Sequence, residues 1–214
     1  LTPFILNSPG GFARAGGVAD LVVYLHGFRS SSKSVKAQKM IDVFDQAGFS
    51  SHLWVPDLPA SPAQALALIE QQVDARLQSN PGMSLTFIGS SLGGFYATVL
   101  GEQHTQANVV LLNPAIKPYD DLQDQIGRKK IYFSNEEIEF LPAYLDDLKA
   151  MERSSLIYPD RYFLVAARDD EVLNCDTMLA RYQGAHQLHL LGSDHALTDF
   201  DEVLPFVKLA VGLQ

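Results

Sequence analysis

A chain of 214 residues suits one domain with one sizeable core. With 47% hydrophobic and 19% charged residues it is a globular composition and not a disordered one. A formal net charge of -9 argues against a polyanionic partner such as nucleic acid, and no window approaches the 18 uninterrupted apolar residues that a transmembrane helix needs.

Leu1 to Asp20 carries Pro3, Pro9 and the pairs Gly10-Gly11 and Gly16-Gly17 around a short apolar piece, Phe4-Ile5-Leu6, and reads as an irregular N-terminal arm or edge hairpin. The Gly pairs do not form a phosphate loop, because no Gly-Lys-Ser/Thr follows them. Leu1 to Gly10 has no Lys or Arg and so lacks the basic start of a secretory signal, which makes the cytoplasm the default expectation.

Leu21 to Leu25 is a continuous apolar run, as expected of a strand buried on both faces, and it ends at His26-Gly27-Phe28. A Ser-rich loop then leads into a helix over about 35–47, with Val35, Met40, Val43, Phe44 and Ala47 as its apolar stripe and Gly48 as its stop. His52 to Val55 is a second strand, stopped by Pro56. Ser61-Pro62-Ala63-Gln64 is a capping box with Pro at the first helical position, and Leu66, Ile69, Val73 and Leu77 follow on one face.

Leu85 to Ile88 is a third strand. It runs into Gly89-Ser90-Ser91-Leu92-Gly93 and then into a segment with helical spacing to about His104. Gly-x-Ser-x-Gly between a strand and a helix is the nucleophile-elbow pattern. So sharp a turn needs small neighbours two residues either side of the Ser, here Gly89 and Gly93. It lifts the Ser91 hydroxyl above the sheet edge and turns the Leu92 backbone N–H toward an incoming anion. The bare pattern is common by chance, so its context has to carry it.

Val109 to Leu112 is a fourth strand, ended by Asn113-Pro114. From Ala115 to Asp160 the alternation stops. Prolines, acids and the aromatics Tyr119, Tyr132, Phe133, Phe140, Tyr144 and Tyr158 suggest short inserted helices, one over about 141–151. Those aromatics either roof an apolar pocket or complete the core. Tyr162 to Ala166 resumes the sheet and runs into Asp169-Asp170-Glu171-Val172-Leu173. A helix over about 176–182, a strand at 187–191, the loop Gly192-Ser193-Asp194-His195 and a last helix from about Asp199 complete the chain. The lone cysteine, Cys175, excludes an internal disulfide and leaves no Cys-based zinc site to build.

Strands alternating with helices imply right-handed crossovers and a doubly wound, mostly parallel sheet of about six strands in a single domain. In such sheets sites form beyond the carboxyl ends of the strands. Four polar groups fall there: His26-Gly27-Phe28, Ser91, Asp169 or Asp170, and His195. Their joint placement carries more weight than any one motif. A serine hydroxyl needs a base to take its proton, and His195 is the one histidine in a loop past a strand end. A carboxylate on the other ring nitrogen fixes the tautomer, and spacing favours Asp170 over its neighbour Asp169. Phe28 and Leu92 supply backbone N–H donors, Gly27 admits a carbonyl, and His26 buttresses the loop. No His-x-x-x-His or comparable ligand spacing occurs, so no metal or other cofactor is expected.

Tyr24-Leu25-His26-Gly27-Phe28, Gly89 to Ala97, Asn113-Pro114 with Pro118-Tyr119, Asp170-Glu171-Val172-Leu173 and Asp194-His195 together resemble the YqiA-like esterases of the α/β-hydrolase superfamily, over about residue 21 to the C-terminus. The resemblance implies a three-layer α/β-hydrolase fold with a short inserted segment over 115–160. It further implies a carboxylester hydrolase whose triad is Ser91, Asp170 and His195, with Asp170 and not Asp169 as the acid. A small-molecule ester is the partner it implies. An acyl thioesterase with the same site, or a non-catalytic binding module on the same fold, are the alternatives.

Overall fold

The computed structural model describes residues 2–8, 16–132 and 134–213. Among these residues nine strands form: β1 (Phe4–Asn7), β2 (Leu21–Leu25), β3 (Leu53–Trp54), β4 (Leu85–Ser90), β5 (Asn108–Leu112), β6 (Gly127–Lys130), β7 (Glu137–Phe140), β8 (Tyr162–Ala167) and β9 (His186–Leu190). Seven α-helices accompany them: α1 (Val35–Gln46), α2 (Pro62–Ser79), α3 (Leu92–Gln103), α4 (Pro118–Asp121), α5 (Ala143–Met151), α6 (Cys175–Arg181) and α7 (Phe200–Val211). The main sheet has seven strands in the order β1-β9-β8-β5-β4-β2-β3, parallel throughout except for β1. Together with its helices this is the α/β-hydrolase fold.

The strands that the sequence marks most clearly are those buried on both faces. In β2, Leu21, Val23 and Leu25 join one core cluster while Val22 and Tyr24 join the other, so a continuous apolar run serves two layers. One layer is packed by α2, α3, α5 and α6, through residues such as Ile69, Phe95, Leu148 and Met178. The other is packed by α1 and α7, through Met40, Phe44, Phe200 and Val207. The α1 stripe differs from the expected one: Ala37, Met40 and Phe44 are buried, whereas Val35 in the first turn is exposed. Ser61 caps α2 by accepting the Gln64 N–H at 3.3 Å.

Two elements depart from the sequence reading. Within the N-terminal arm, Phe4–Asn7 is not irregular but pairs antiparallel with β9 at the sheet edge. All four residues are exposed, so the strand carries no burial pattern; backbone hydrogen bonds hold it, with the Phe4 ring edge-on to Phe206 at 5.0 Å. Gly10, Gly11 and Pro9 lie outside the described residues. Residues 115–160 hold not only short helices but also a two-stranded antiparallel hairpin, β6–β7, in register from Gly127↔Phe140 to Lys130↔Glu137.

The topology positions the site. After β2 the chain moves outward to β3, then returns across β2 to β4 and continues to β5, β8 and β9. The direction of winding therefore reverses between β2 and β4, where doubly wound sheets form their clefts. Parallel pairing aligns Leu25 with Gly89, Ser90 with Leu112, and Ala167 with Leu190, bringing these strand ends to one edge.

Candidate active site

Ser91 sits at the turn between β4 and α3 with φ 55° and ψ -121°. A non-glycine residue there stores on the order of 1–3 kcal/mol, which the surrounding structure has to sustain. Its backbone does so through N–H donation to the Leu112 carbonyl at 3.1 Å and acceptance from the Ala115 N–H at 3.0 Å. The flanking glycines are required sterically. A Cβ on Gly89 would strike the Gly93 carbonyl, and one on Gly93 would strike the Leu25 carbonyl. The elbow thus packs against both β2 and its own helix, and α3 is buried along nearly its whole length.

His195, in the loop after β9, reaches back over this turn. Its Nε2 lies 3.0 Å from Ser91 Oγ, and its Nδ1 lies 2.8 Å from Asp170 Oδ2. A carboxylate oxygen only accepts, so Nδ1 carries the proton and donates it, leaving Nε2 free to accept from the Ser91 hydroxyl. The Asp170 side chain is fully buried, and the His195 side chain is 19% exposed. The other Asp170 oxygen accepts the N–H groups of Val172 and Leu173 at 2.8 and 2.7 Å, which locks the carboxylate plane. Asp169 is exposed and the neighbouring carboxylate alone faces the imidazole. The structure therefore brings Ser91, His195 and Asp170 into one hydrogen-bonded line from three strand ends.

His26, His52 and His186 are engaged elsewhere. His26 is buried at the end of β2, where its Nδ1–H donates to the Gly27 carbonyl at 2.9 Å and its Nε2 accepts the Leu58 N–H at 3.0 Å. Burial pushes its pKa below the usual value, partly offset by the Gly27 carbonyl and the Asp57 charge. It is a neutral strut between two loops. His52 contacts the Ala19 carbonyl, and His186 contacts Ser8.

Phe28 follows Gly27 in the loop after β2, and Leu92 opens α3, so its N–H is one of those without an intrahelical acceptor. A Cβ on Gly27 would approach Ser91 Cβ to 3.1 Å, so the two loops nearly touch. A pocket of about 40 Å³ opens beside these N–H groups, lined by Phe28, Leu58, Leu92, Tyr96, Ile131 and Ile138 among others. The hairpin contributes aliphatic Ile131 and Ile138 to it, and none of the described aromatics singled out in the sequence lines it. Tyr132 is exposed, Phe140 is buried against Phe28 and Tyr144, and Phe133 lies outside the described residues.

Three residues that sequence reasoning gave no role hold the His195 loop. Asn113, buried at the end of β5, donates to the Asp194 and His195 carbonyls at 3.1 and 3.3 Å while its Oδ1 accepts the Ala167 N–H at 2.8 Å. Glu171 accepts the His195 N–H at 2.9 Å, and Lys36 on α1 donates to the Ala196 carbonyl at 2.5 Å. Burial lowers the Lys36 pKa to about 8, against the opposing pull of Asp194 and Asp170. The Asn-Pro pair at a strand end was the available signal for Asn113, since Asn tolerates the φ of 44° found there. Among the described residues no group of three or more His, Cys, Asp or Glu is placed to hold a metal ion, and no helix is long and apolar enough to cross a membrane.

The model of UPF0227, an uncharacterised protein family, matches residues 21–210. The chain belongs to the UPF0227 family. A relative in the same family, UPF0227 protein YE1706 of Yersinia enterocolitica, is 25% identical over 156 residues, covering 72% of this chain and 77% of that one. Among solved structures, Est1E from Butyrivibrio proteoclasticus with ferulic acid bound superposes with a TM-score of 0.65 at 13% identity, covering 97% of this chain and 92% of that one. The monoacylglycerol lipase of Paleococcus ferrophilus gives 0.62 at 15% identity, with 91% and 96% covered. The esterase domain from a Rhodothermus marinus protein gives 0.57 at 14% identity, with 99% and 100% covered. At these identities the likeness is one of fold. The UPF0227 chain described here carries that fold with a hairpin, β6–β7, set against its β2 loop.

Proposed function

We propose that this UPF0227 protein is a serine carboxylester hydrolase working through an acyl-enzyme. The observation that carries the reading is the line Ser91 Oγ, His195 Nε2, His195 Nδ1 and Asp170 Oδ2, with separations of 3.0 and 2.8 Å. His195 takes the Ser91 proton as Oγ bonds to the ester carbonyl carbon, and Asp170 steadies the imidazolium. The carbonyl oxygen becomes an oxyanion facing the N–H groups of Phe28 and Leu92. His195 returns the proton to the departing alcohol as the ester C–O bond breaks. Water, deprotonated by the same nitrogen, then attacks the acyl-enzyme and frees the acid and Ser91.

The pocket beside the donors supports a short acyl group. Its volume is only about 40 Å³, and Phe28, Leu92, Ile131 and Ile138 give it apolar walls. The solved structures of similar fold include esterases and a monoacylglycerol lipase, which is consistent with a small ester as substrate.

The test is hydrolysis of p-nitrophenyl acetate together with labelling by a fluorophosphonate probe. Ser91→Ala should abolish labelling and lower the rate by roughly a million-fold. A variant that keeps more than a few per cent of the parent rate would sink the assignment. Matched oxygen and sulfur esters then separate an esterase from a thioesterase by kcat/KM.

A further inference from the structure

The hairpin β6–β7 joins the core only at its base, through the buried Phe140, and it touches the loop that follows β2 at two separate places. At its turn end, the Tyr132 N–H donates to the Arg29 carbonyl at 2.8 Å, and Arg29 Nε donates to the Lys130 carbonyl at 2.7 Å. The Arg29 guanidinium also lies over the Tyr132 ring, 4.5 Å from its centre. At its base, where Gly127 pairs with Phe140, the Phe140 ring meets the Phe28 ring edge-on at 5.1 Å. Ile131 and Ile138 line the pocket between these two contacts. Residues 28 and 29 are therefore held from both ends of the hairpin.

Arg29 has φ 58°, a conformation that a non-glycine residue keeps only where its surroundings impose it. The two hydrogen bonds bracket that residue, one at its main chain and one at its side chain. The Phe28 N–H belongs to the Gly27–Phe28 peptide, at the entry of the same turn, which the Ser30 N–H closes on the Gly27 carbonyl at 3.2 Å with Phe28 and Arg29 as its central residues. An oxyanion donor contributes only when it is aimed before the reaction begins, so whatever fixes the turn sets the donor.

Building on the esterase reading, we propose that the inserted hairpin is a clamp on the oxyanion loop and that Arg29 is its positioning residue. The acyl pocket and the donor then share one support. An acyl group that fills the space between Phe28 and Ile138 packs against the same hairpin that aims the Phe28 N–H. Arg29 touches no reacting atom. Its effect belongs to the transition state, where negative charge develops, and not to substrate capture.

Arg29→Gly tests this role together with Arg29→Ala, which lacks the guanidinium but does not add glycine's backbone freedom. Arg29→Gly removes the guanidinium while leaving a residue that accepts positive φ without strain, so the variant has no Cβ-related reason to misfold. Arg29→Ala is the companion variant, and thermal midpoints verify that both are folded. With p-nitrophenyl acetate the expected result for Arg29→Gly is a kcat loss of tenfold or more, with KM held within threefold. That is short of the roughly 100- to 1,000-fold seen when a donor itself is removed. Amide hydrogen exchange over residues 27–30 should accelerate, while that of the His195 loop stays as in the parent.

A kcat loss below tenfold, or a loss confined to KM, overturns the clamp while leaving Ser91-dependent hydrolysis in place. Failure of the esterase reading looks different: Ser91→Ala would then hydrolyse as the parent does. In that event hydrogen exchange still decides the clamp, since unchanged exchange over 27–30 in Arg29→Gly refutes it without reference to activity.

Discussion

The two sides of Ser91 are held by different means. On the base side, the His195 loop is fastened by side chains from the main sheet and its helices: Asn113 from the end of β5, Glu171 from the loop after β8, and Lys36 from α1. These bonds reach backbone atoms, and Asn113 also ties in the backbone of β8 at Ala167. On the oxyanion side, the Phe28 loop is fastened by the inserted hairpin and by the neutral strut His26. One side is thus built into the core of the fold, and the other leans on a segment added to it. Changes on the base side should cost both rate and stability, whereas changes at the contact of Arg29 with the hairpin should cost mainly rate.

The largest break lies in the relay itself. Asp170→Asn keeps the shape but presents the wrong hydrogen-bonding groups to His195, so kcat should fall on the order of ten-thousand-fold. Asp169→Asn, one residue away and exposed, should be nearly silent. Steady-state kinetics on both variants read this directly, and the reverse pattern would transfer the acid role to Asp169.

Asn113→Ala tests the base side at one remove. It orphans the buried Ala167 N–H and frees the carbonyls of Asp194 and His195. Leaving buried groups unpaired costs about 1–3 kcal/mol. A His195 ring displaced by about an ångström costs on the order of 10- to 100-fold in rate. Denaturant unfolding and kcat should therefore both fall. If kcat fell without any loss of stability, the two sides of the site would not differ as argued.

The site was more legible in the sequence than its supports. Ser91 and Asp170 each stand past a fully buried, mostly apolar strand, which places them at the sheet edge without any knowledge of contacts, whereas His195 follows the half-buried β9 and is marked only by its place in a loop beyond a strand end. Asn113, Glu171 and Arg29 act on backbone atoms far away in the chain, at separations of 24 to 103 residues. A side chain that binds a backbone amide or carbonyl asks for no particular residue type opposite it, so it leaves no paired signature. The same reasoning covers β1, an exposed strand held by main-chain pairing, and the hairpin strand Gly127–Lys130, whose charged residues carry no strand-like apolar pattern.

The smallest expected effect separates the two sides by pH. His26 is buried and neutral, with its pKa held below the usual 6.5, whereas in the unfolded chain it titrates normally. Above about pH 6.5 both states hold it neutral, and its full contribution to stability is present. As pH falls below that value the unfolded chain takes up a proton that folded His26 resists, and stability is lost until the folded pKa is reached. One such group contributes a slope of at most about 1.4 kcal/mol per pH unit. Protonation at Nε2 also sets a donor against the Leu58 N–H, so the strut fails on the oxyanion side. His26→Gln, which cannot titrate, should show a shallower fall in unfolding free energy between pH 6.5 and 5 than the parent. The depressed pKa of His189 is common to both proteins and cancels in the difference. Parallel curves would mean that His26 is not the acid-sensitive strut, and the oxyanion side would then rest on the hairpin alone.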